Sequence, residues 1–338
     1  MPELSELSPF VRQVLEDNNL VPLRVLRYGP RFVCIHVRNG EQEGMFKMVL
    51  PLNERGPHNT PAGYTWTDHD NIAILERRLL KEALFLQYFS QHLGPNGFEP
   101  QIQAMSETSP VWSLRTYIDE RTMSAWDSNF IFSQRFYTEV EPHQVIDFFR
   151  HMHRLSDNLP LPLSDIIAEF VSTLTNPSRF ERSVARAKQM PKFKGVAKAL
   201  EKKFASFEVN YAEYERVVTQ YEPYSCHLFV VNDKVSLIDW ENVGWGHKLQ
   251  DLSVLWMRCF DVPEWQAEYE RLLEAYGYFE GNGRLYWESE ILIQSFANHE
   301  YFADGGPIGN SEYDKRATDF FSYQIEKILT TSKYFKVL

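Results

Sequence analysis

The feature that most restricts the fold is the uneven placement of two residue periodicities. Short apolar, β-branched or aromatic runs lie almost wholly in the first third of the chain. They occupy residues 31–38 (RFVCIHVR), 45–50 (MFKMVL) and 111–118 (VWSLRTYI), and runs of this kind read as strands. The first two flank the turn-rich segment Asn39–Gly44, which predicts an antiparallel hairpin with a loop too long for a tight turn. From about Asp70 to His92 the pattern changes. Ile72, Leu75, Leu79, Ala83 and Leu86 recur at three- and four-residue steps, predicting one long helix with Thr67 or Asp68 as N-cap and Gly94 as its stop. The stretch 53–63, with its glycines and prolines, is a surface loop in this reading.

Beyond residue 119 helical patterns dominate, over about 142–156, 164–175 and 179–218 and in two segments after 262. One β island interrupts them: 228–231 (LFVV), a polar turn at 232–234, and 235–238 (VSLI), ending in Asp239-Trp240-Glu241. Strands followed by helices imply an α+β protein in two parts. The expected division is a strand-rich portion at 1–119 and a helical portion at 120–338.

Composition bounds the function classes. The chain has 338 residues with 35 Lys and Arg against 46 Asp and Glu, a net charge of −11, which argues against general nucleic-acid binding because that needs a basic face. Cys34, Cys226 and Cys259 are far apart and form no CxxC pair, so neither a disulfide framework nor a zinc ribbon is expected. The N-terminus lacks a charged segment followed by an apolar one, and no apolar run approaches membrane-spanning length. The expectation is a soluble cytoplasmic protein. His151 and His153, two apart on a helix, point to different faces and hold no metal together. Cys226 beside His227 lacks an orienting third group and reads as structural rather than nucleophilic.

Three charged residues carry the chemistry. Asp239 ends a strand, where a rigid hairpin presents a carboxylate; Mg²⁺ takes oxygen donors of this kind together with substrate phosphates. Lys47 lies inside an apolar strand and Glu82 on the long helix 35 positions later. A strand lysine paired with a helix glutamate is the arrangement that clamps ATP phosphates.

In this order the residues resemble the aminoglycoside phosphotransferase/choline kinase family, relatives of the protein kinases. The specific match is 235–244 (VSLIDWENVG) with Asp251-Leu252, against the family pattern hhIDWE…G…DL. Softer matches are 149–156 (FRHMHRLS), similar to an LHxLS helix end, and 116–119 (TYID), similar to the hinge between lobes. The resemblance implies a bilobal protein-kinase-like fold with a β-rich N-lobe and a helical C-lobe. It implies that Lys47 contacts ATP phosphates, Glu82 orients Lys47, Asp239 binds Mg²⁺ from across the cleft, and Asp251 braces the catalytic loop. It implies a small-molecule acceptor bound by the aromatic, acidic stretch 261–304, cationic in relatives that use choline or aminoglycosides.

The resembled catalytic loop, HGDLHPGN, falls on 220–227 (QYEPYSCH) and departs at each polar catalytic position. Gln220 stands for the first His, Glu222 for the catalytic Asp, and His227 for the metal-binding Asn. Glu222 keeps a carboxylate to accept a hydroxyl proton, whereas His227 is a poor ligand for a hard cation. The phosphate loop is lean as well, offering only Gly29, with Arg27 and Arg31 as possible phosphate charges. Two readings follow: an ATP- and Mg²⁺-dependent kinase with Glu222 as base, or a pseudokinase that binds nucleotide or scaffolds a protein partner.

Overall fold

The computed structural model describes residues 3–55, 60, 71–93, 100–119, 122–125, 131–168, 177–211, 216–221, 223–303 and 311–338. The elements in chain order are α1 Pro9–Asp17, β1 Val21–Tyr28, β2 Phe32–Asn39, β3 Gln42–Val49, α2 Ile72–Leu93, β4 Ile102–Ser106, β5 Trp112–Thr116, α3 Gln134–Glu139, α4 Pro142–Leu155, α5 Leu161–Ala168, α6 Pro177–Gln189 and α7 Ala197–Tyr211. They continue with β6 Arg216–Thr219, β7 Leu228–Val231, β8 Lys234–Leu237, β9 Gly244–His247, α8 Lys248–Arg258, α9 Pro263–Ala275, α10 Gly283–Ala303 and α11 Ser311–Thr331. The residues form two compact units, one of 1–121, 161–166 and 236–242, the other of 122–160, 167–235 and 243–338. The segment that carries Asp239 therefore groups with the N-terminal sheet, although in sequence it lies far downstream.

The first unit is built on a five-stranded antiparallel sheet of order β1-β2-β3-β5-β4. Strand alternation sorts its side chains onto two faces. Val33, Ile35, Phe46, Met48 and Leu114 pack with Val11, Val14 and Leu15 of α1. Phe32, Val49 and Val111, on the opposite face, pack with Leu75 and Leu79 of α2. The β2–β3 connection is shorter than the sequence predicts. Asn39 pairs with Gln42, leaving a two-residue turn in which Gly40 has φ +62°, a conformation glycine adopts without steric cost. Helix α2 matches the periodicity; its predicted caps Thr67, Asp68 and Gly94 lie outside the described residues, as does most of the loop at 53–63.

In the second unit α8 is buried over Leu249–Arg258 and packs against α10, which in turn packs on α11. One expectation is corrected here. The stretch 179–218 is not helical to its end, because β6 pairs antiparallel with β9, Val217 opposite Gly246 and Val218 opposite Trp245. The β-branched run Val217-Val218-Thr219 finds a partner strand that only the tertiary fold supplies. The β7–β8 turn places Asn232 and Asp233 at φ +50° and +60°, the backbone of a tight two-residue hairpin.

Candidate functional site

Lys47 faces α2 because strand alternation leaves no other choice: its neighbours Phe46 and Met48 fill the α1 side of the sheet. On α2, Leu75, Leu79, Glu82 and Leu86 are buried at steps of four, three and four, so Glu82 holds a position that the helical repeat assigns to the core. Its side chain is only 1% exposed, and a buried carboxylate requires charged or hydrogen-bonding partners. Glu82 has three. Lys47 Nζ donates to Oε2 at 2.8 Å, Arg115 Nη1 donates to Oε1 at 2.7 Å, and the backbone N–H of Trp240 donates to Oε1 at 3.2 Å.

Asp239 follows β8 at φ +63°, a left-handed conformation that non-glycine residues rarely hold and that concentrates at functional sites. The turn is pinned by Trp240, whose indole N–H donates to the Leu237 carbonyl at 2.8 Å and whose ring lies 4.8 Å from that of Phe85 on α2. The result brings two carboxylates to one ammonium. Lys47 Nζ is 3.3 Å from Asp239 Oδ1 and 3.5 Å from Glu241 Oε2, and 4.9 Å from the centroid of the Phe32 ring.

The electrostatics follow from burial and pairing. Burial pulls Lys47 toward neutrality, but Glu82, Asp239 and Glu241 outweigh it and hold the ammonium above its ordinary range. Burial likewise works against the charged form of Glu82, and Arg115 and Lys47 overcome it, keeping the carboxyl below its usual value. Arg115 is raised too, burial being offset by Glu82. All three groups are ionised at neutral pH.

Asp239 and Glu241 are the groups here that fit a hard divalent cation. Their side chains are 31% and 18% exposed, and both bring carboxylate oxygens to the same ammonium. Among the described residues no cluster of three or more His, Cys, Asp and Glu side chains is placed to hold a metal on its own. A two-carboxylate site of this kind suits Mg²⁺, which usually completes its shell with water and substrate phosphates.

In the second unit the segment after β6 is held from α8. The carboxylate of Asp251, in the first turn of α8, accepts the backbone N–H of Gln220 at 2.7 Å and of Tyr221 at 2.8 Å. Tyr221 has φ +77°, so one of the two braced residues holds a strained backbone conformation. Burial pushes the Asp251 carboxyl up to about 7 against those two hydrogen bonds, which favour the ionised form. The end of α4 adds another tie, Val218 N–H to Ser156 Oγ at 2.9 Å. Further along, Arg258 at the other end of α8 lies 5.4 Å from the Tyr224 ring and donates to Asn298 Oδ1 at 3.1 Å.

Glu222 lies outside the described residues. His227 is half-buried and closes a 3-10 turn, with its backbone N–H bonded to the Tyr224 carbonyl at 2.9 Å. Gln220 is fully buried. The Gly29 N–H is bonded to the Phe32 carbonyl at 3.0 Å, so it closes the β1–β2 turn. His153 is buried and His151 exposed, and the three cysteines are free thiols. Sequence reasoning missed Arg115 and Glu241. The signal for Arg115 was a cation inside β5 with Leu114 committed to the other face; for Glu241 it was a second acid two residues past Asp239.

A strand lysine bound to a helix glutamate, an aspartate on a strained turn, and a loop braced by the next helix's carboxylate are the parts of a protein-kinase-like phosphotransferase fold. Residues 71–287 match the model of the phosphotransferase enzyme family. The chain belongs to that family. No curated protein is matched by its sequence. Among solved structures it resembles an aminoglycoside phosphotransferase in complex with GDP and kanamycin, with 13% identity, TM-score 0.55, and coverage of 95% of this chain and 99% of the other. It also resembles wild-type aminoglycoside 2′-phosphotransferase-IIIa in its GDP complex, with 12% identity, TM-score 0.54, and coverage of 94% and 98%. A third neighbour is the macrolide 2′-phosphotransferase of Brachybacterium faecium, with 14% identity, TM-score 0.54, and coverage of 91% and 95%.

Proposed function

We propose that this protein transfers the γ-phosphate of ATP to a hydroxyl of a small molecule, with Mg²⁺ as cofactor. The observation that carries the reading is the meeting of Glu82 and Asp239 on Lys47 Nζ at 2.8 and 3.3 Å. In the family such a lysine contacts nucleotide phosphates, and a glutamate fixed by other donors keeps it in place. A metal held by Asp239, with Glu241 beside it, would neutralise phosphate charge. Glu222 serves as the base that accepts the hydroxyl proton, and Asp251 fixes the backbone leading into it. The nucleotide complexes of the neighbours support a nucleotide site, and their GDP makes GTP a donor to test beside ATP.

The neighbours, a macrolide phosphotransferase and aminoglycoside phosphotransferases, one of them in complex with kanamycin, support a small-molecule acceptor; the stretch 261–304 is its proposed site. We place the protein in the cytoplasm, in keeping with its three free thiols and with described helices too short or too polar to span a membrane. A second reading, nucleotide binding without transfer or the scaffolding of a protein partner, is favoured by Gln220, Glu222 and His227, which replace the first His, the catalytic Asp and the metal-binding Asn of the family's loop.

Thermal shift with ATP or GTP, with and without Mg²⁺, tests the site. Phosphate release with a panel of amino alcohols, sugars and aminoglycosides then separates the readings. Nucleotide binding with turnover supports the kinase, and binding without turnover supports the second reading. No nucleotide-dependent shift rejects both.

A further inference from the structure

Arg115 is the one member of the charged cluster that the phosphate-clamp chemistry does not require. It lies on β5, where Met45 is its cross-strand partner and Ser113, two residues away on the same face, is opposite Lys47. Its side chain is 4% exposed, and its Nε–H is buried without a partner among the described residues. A buried cation with an unsatisfied donor is a poor choice for stability alone, and apolar side chains commonly replace buried ion pairs at little cost. Its position explains what it adds. Lys47 is shared among Glu82, Asp239 and Glu241, so an ammonium turned toward phosphates leaves Glu82 with weakened support. Arg115 holds the Oε1 atom that also accepts the Trp240 N–H, and Trp240 directly follows Asp239.

We propose that Arg115 is a positioning residue: by holding Glu82 Oε1 it keeps α2, the Trp240 amide and the Asp239 turn in one arrangement, whether or not Lys47 is engaged by phosphate. The consequence for nucleotide rests on the reading given above; the mechanical claim does not.

Hydrogen exchange on the full chain tests it, followed in peptides spanning 238–242 and, as reference, in α1 and α11. In Arg115→Gln the Trp240 amide exchanges about tenfold faster, as loss of one charge-assisted support implies, while the reference peptides keep their wild-type rates. Arg115→Lys, which retains charge but not the forked donor, gives an intermediate rate, and it decides alone if the glutamine variant does not fold. Wild-type exchange at Trp240 in the lysine and glutamine variants, or equal acceleration in every peptide, overturns the proposal. MgATP titration of the wild type is run alongside. Absence of binding there rejects the nucleotide reading, and the exchange data still decide the role of Arg115.

Discussion

The backbone N–H of Trp240 donates to Glu82 at 3.2 Å, so the residue after Asp239 is tied to the helix that also holds Lys47. One carboxylate thereby sets the positions of a β3 cation, a β5 cation and a downstream turn. A site built this way fails in recognisable steps.

Glu82→Gln removes the carboxylate that, among the described residues, pairs directly with both Lys47 and Arg115. Breaking a buried ion pair by removing one partner costs about 3–5 kcal/mol, and Asp239 and Glu241 remain on Lys47 to soften the loss. We expect urea unfolding to show a loss near the lower end of that range and MgATP affinity to fall at least as far as in Lys47→Met.

Asp239→Asn keeps the size and the turn but removes a hard anionic donor. The expected outcome is a near-wild-type melting temperature without nucleotide, together with loss of the Mg²⁺-dependent part of the nucleotide shift. Replacing Mg²⁺ by Mn²⁺ in the wild type and in His227→Ala examines the proposal that His227 is a metal ligand, since imidazole accepts Mn²⁺ more readily than Mg²⁺; a Mn²⁺ preference lost in the variant supports it, and one left unchanged removes it.

Glu222→Gln removes the proposed base while leaving the Lys47–Glu82–Asp239 cluster unchanged. Turnover should fall by about 10² or more with nucleotide affinity retained. Undiminished turnover would assign the proton transfer elsewhere.

Asp251 and His153 bend the pH–stability curve in opposite senses. Asp251 is raised to about 7 by burial, so between pH 4 and 7 the folded state holds a proton that the unfolded chain has released. Its contribution therefore shrinks as pH rises through that range, by on the order of 1 kcal/mol per pH unit. His153 is lowered to about 3, first by burial and then by Lys248. Below its unfolded value near 6.5 the unfolded chain gains the proton, and stability falls as pH drops toward 3, at a similar slope. Urea midpoints measured from pH 4 to 8 should lose the first slope in Asp251→Asn and the second in His153→Leu. The leucine variant should also be more stable than wild type at pH 5, since both ring nitrogens are buried without partners among the described residues.

Much of this molecule is legible in the chain itself. The period of two in Phe46-Lys47-Met48 decides which face Lys47 occupies, and the three- and four-residue steps of α2 put Glu82 on its buried stripe. The hairpin ending in Asp239 is encoded locally, by apolar runs on either side of Asn232-Asp233. Such features are legible because alternation and helical repeat are properties of a few consecutive residues. Elsewhere local information is insufficient. Nothing near Arg115 says that its guanidinium meets Glu82, 33 positions earlier, or that the Trp240 amide reaches the same oxygen from 158 positions later. The strand β6 forms only because β9 lies beside it. Local periodicity thus determined which face each charged residue would take. Which charges meet was decided by the tertiary structure, because the cost of burying a carboxylate can be met only by partners that folding brings from distant parts of the chain.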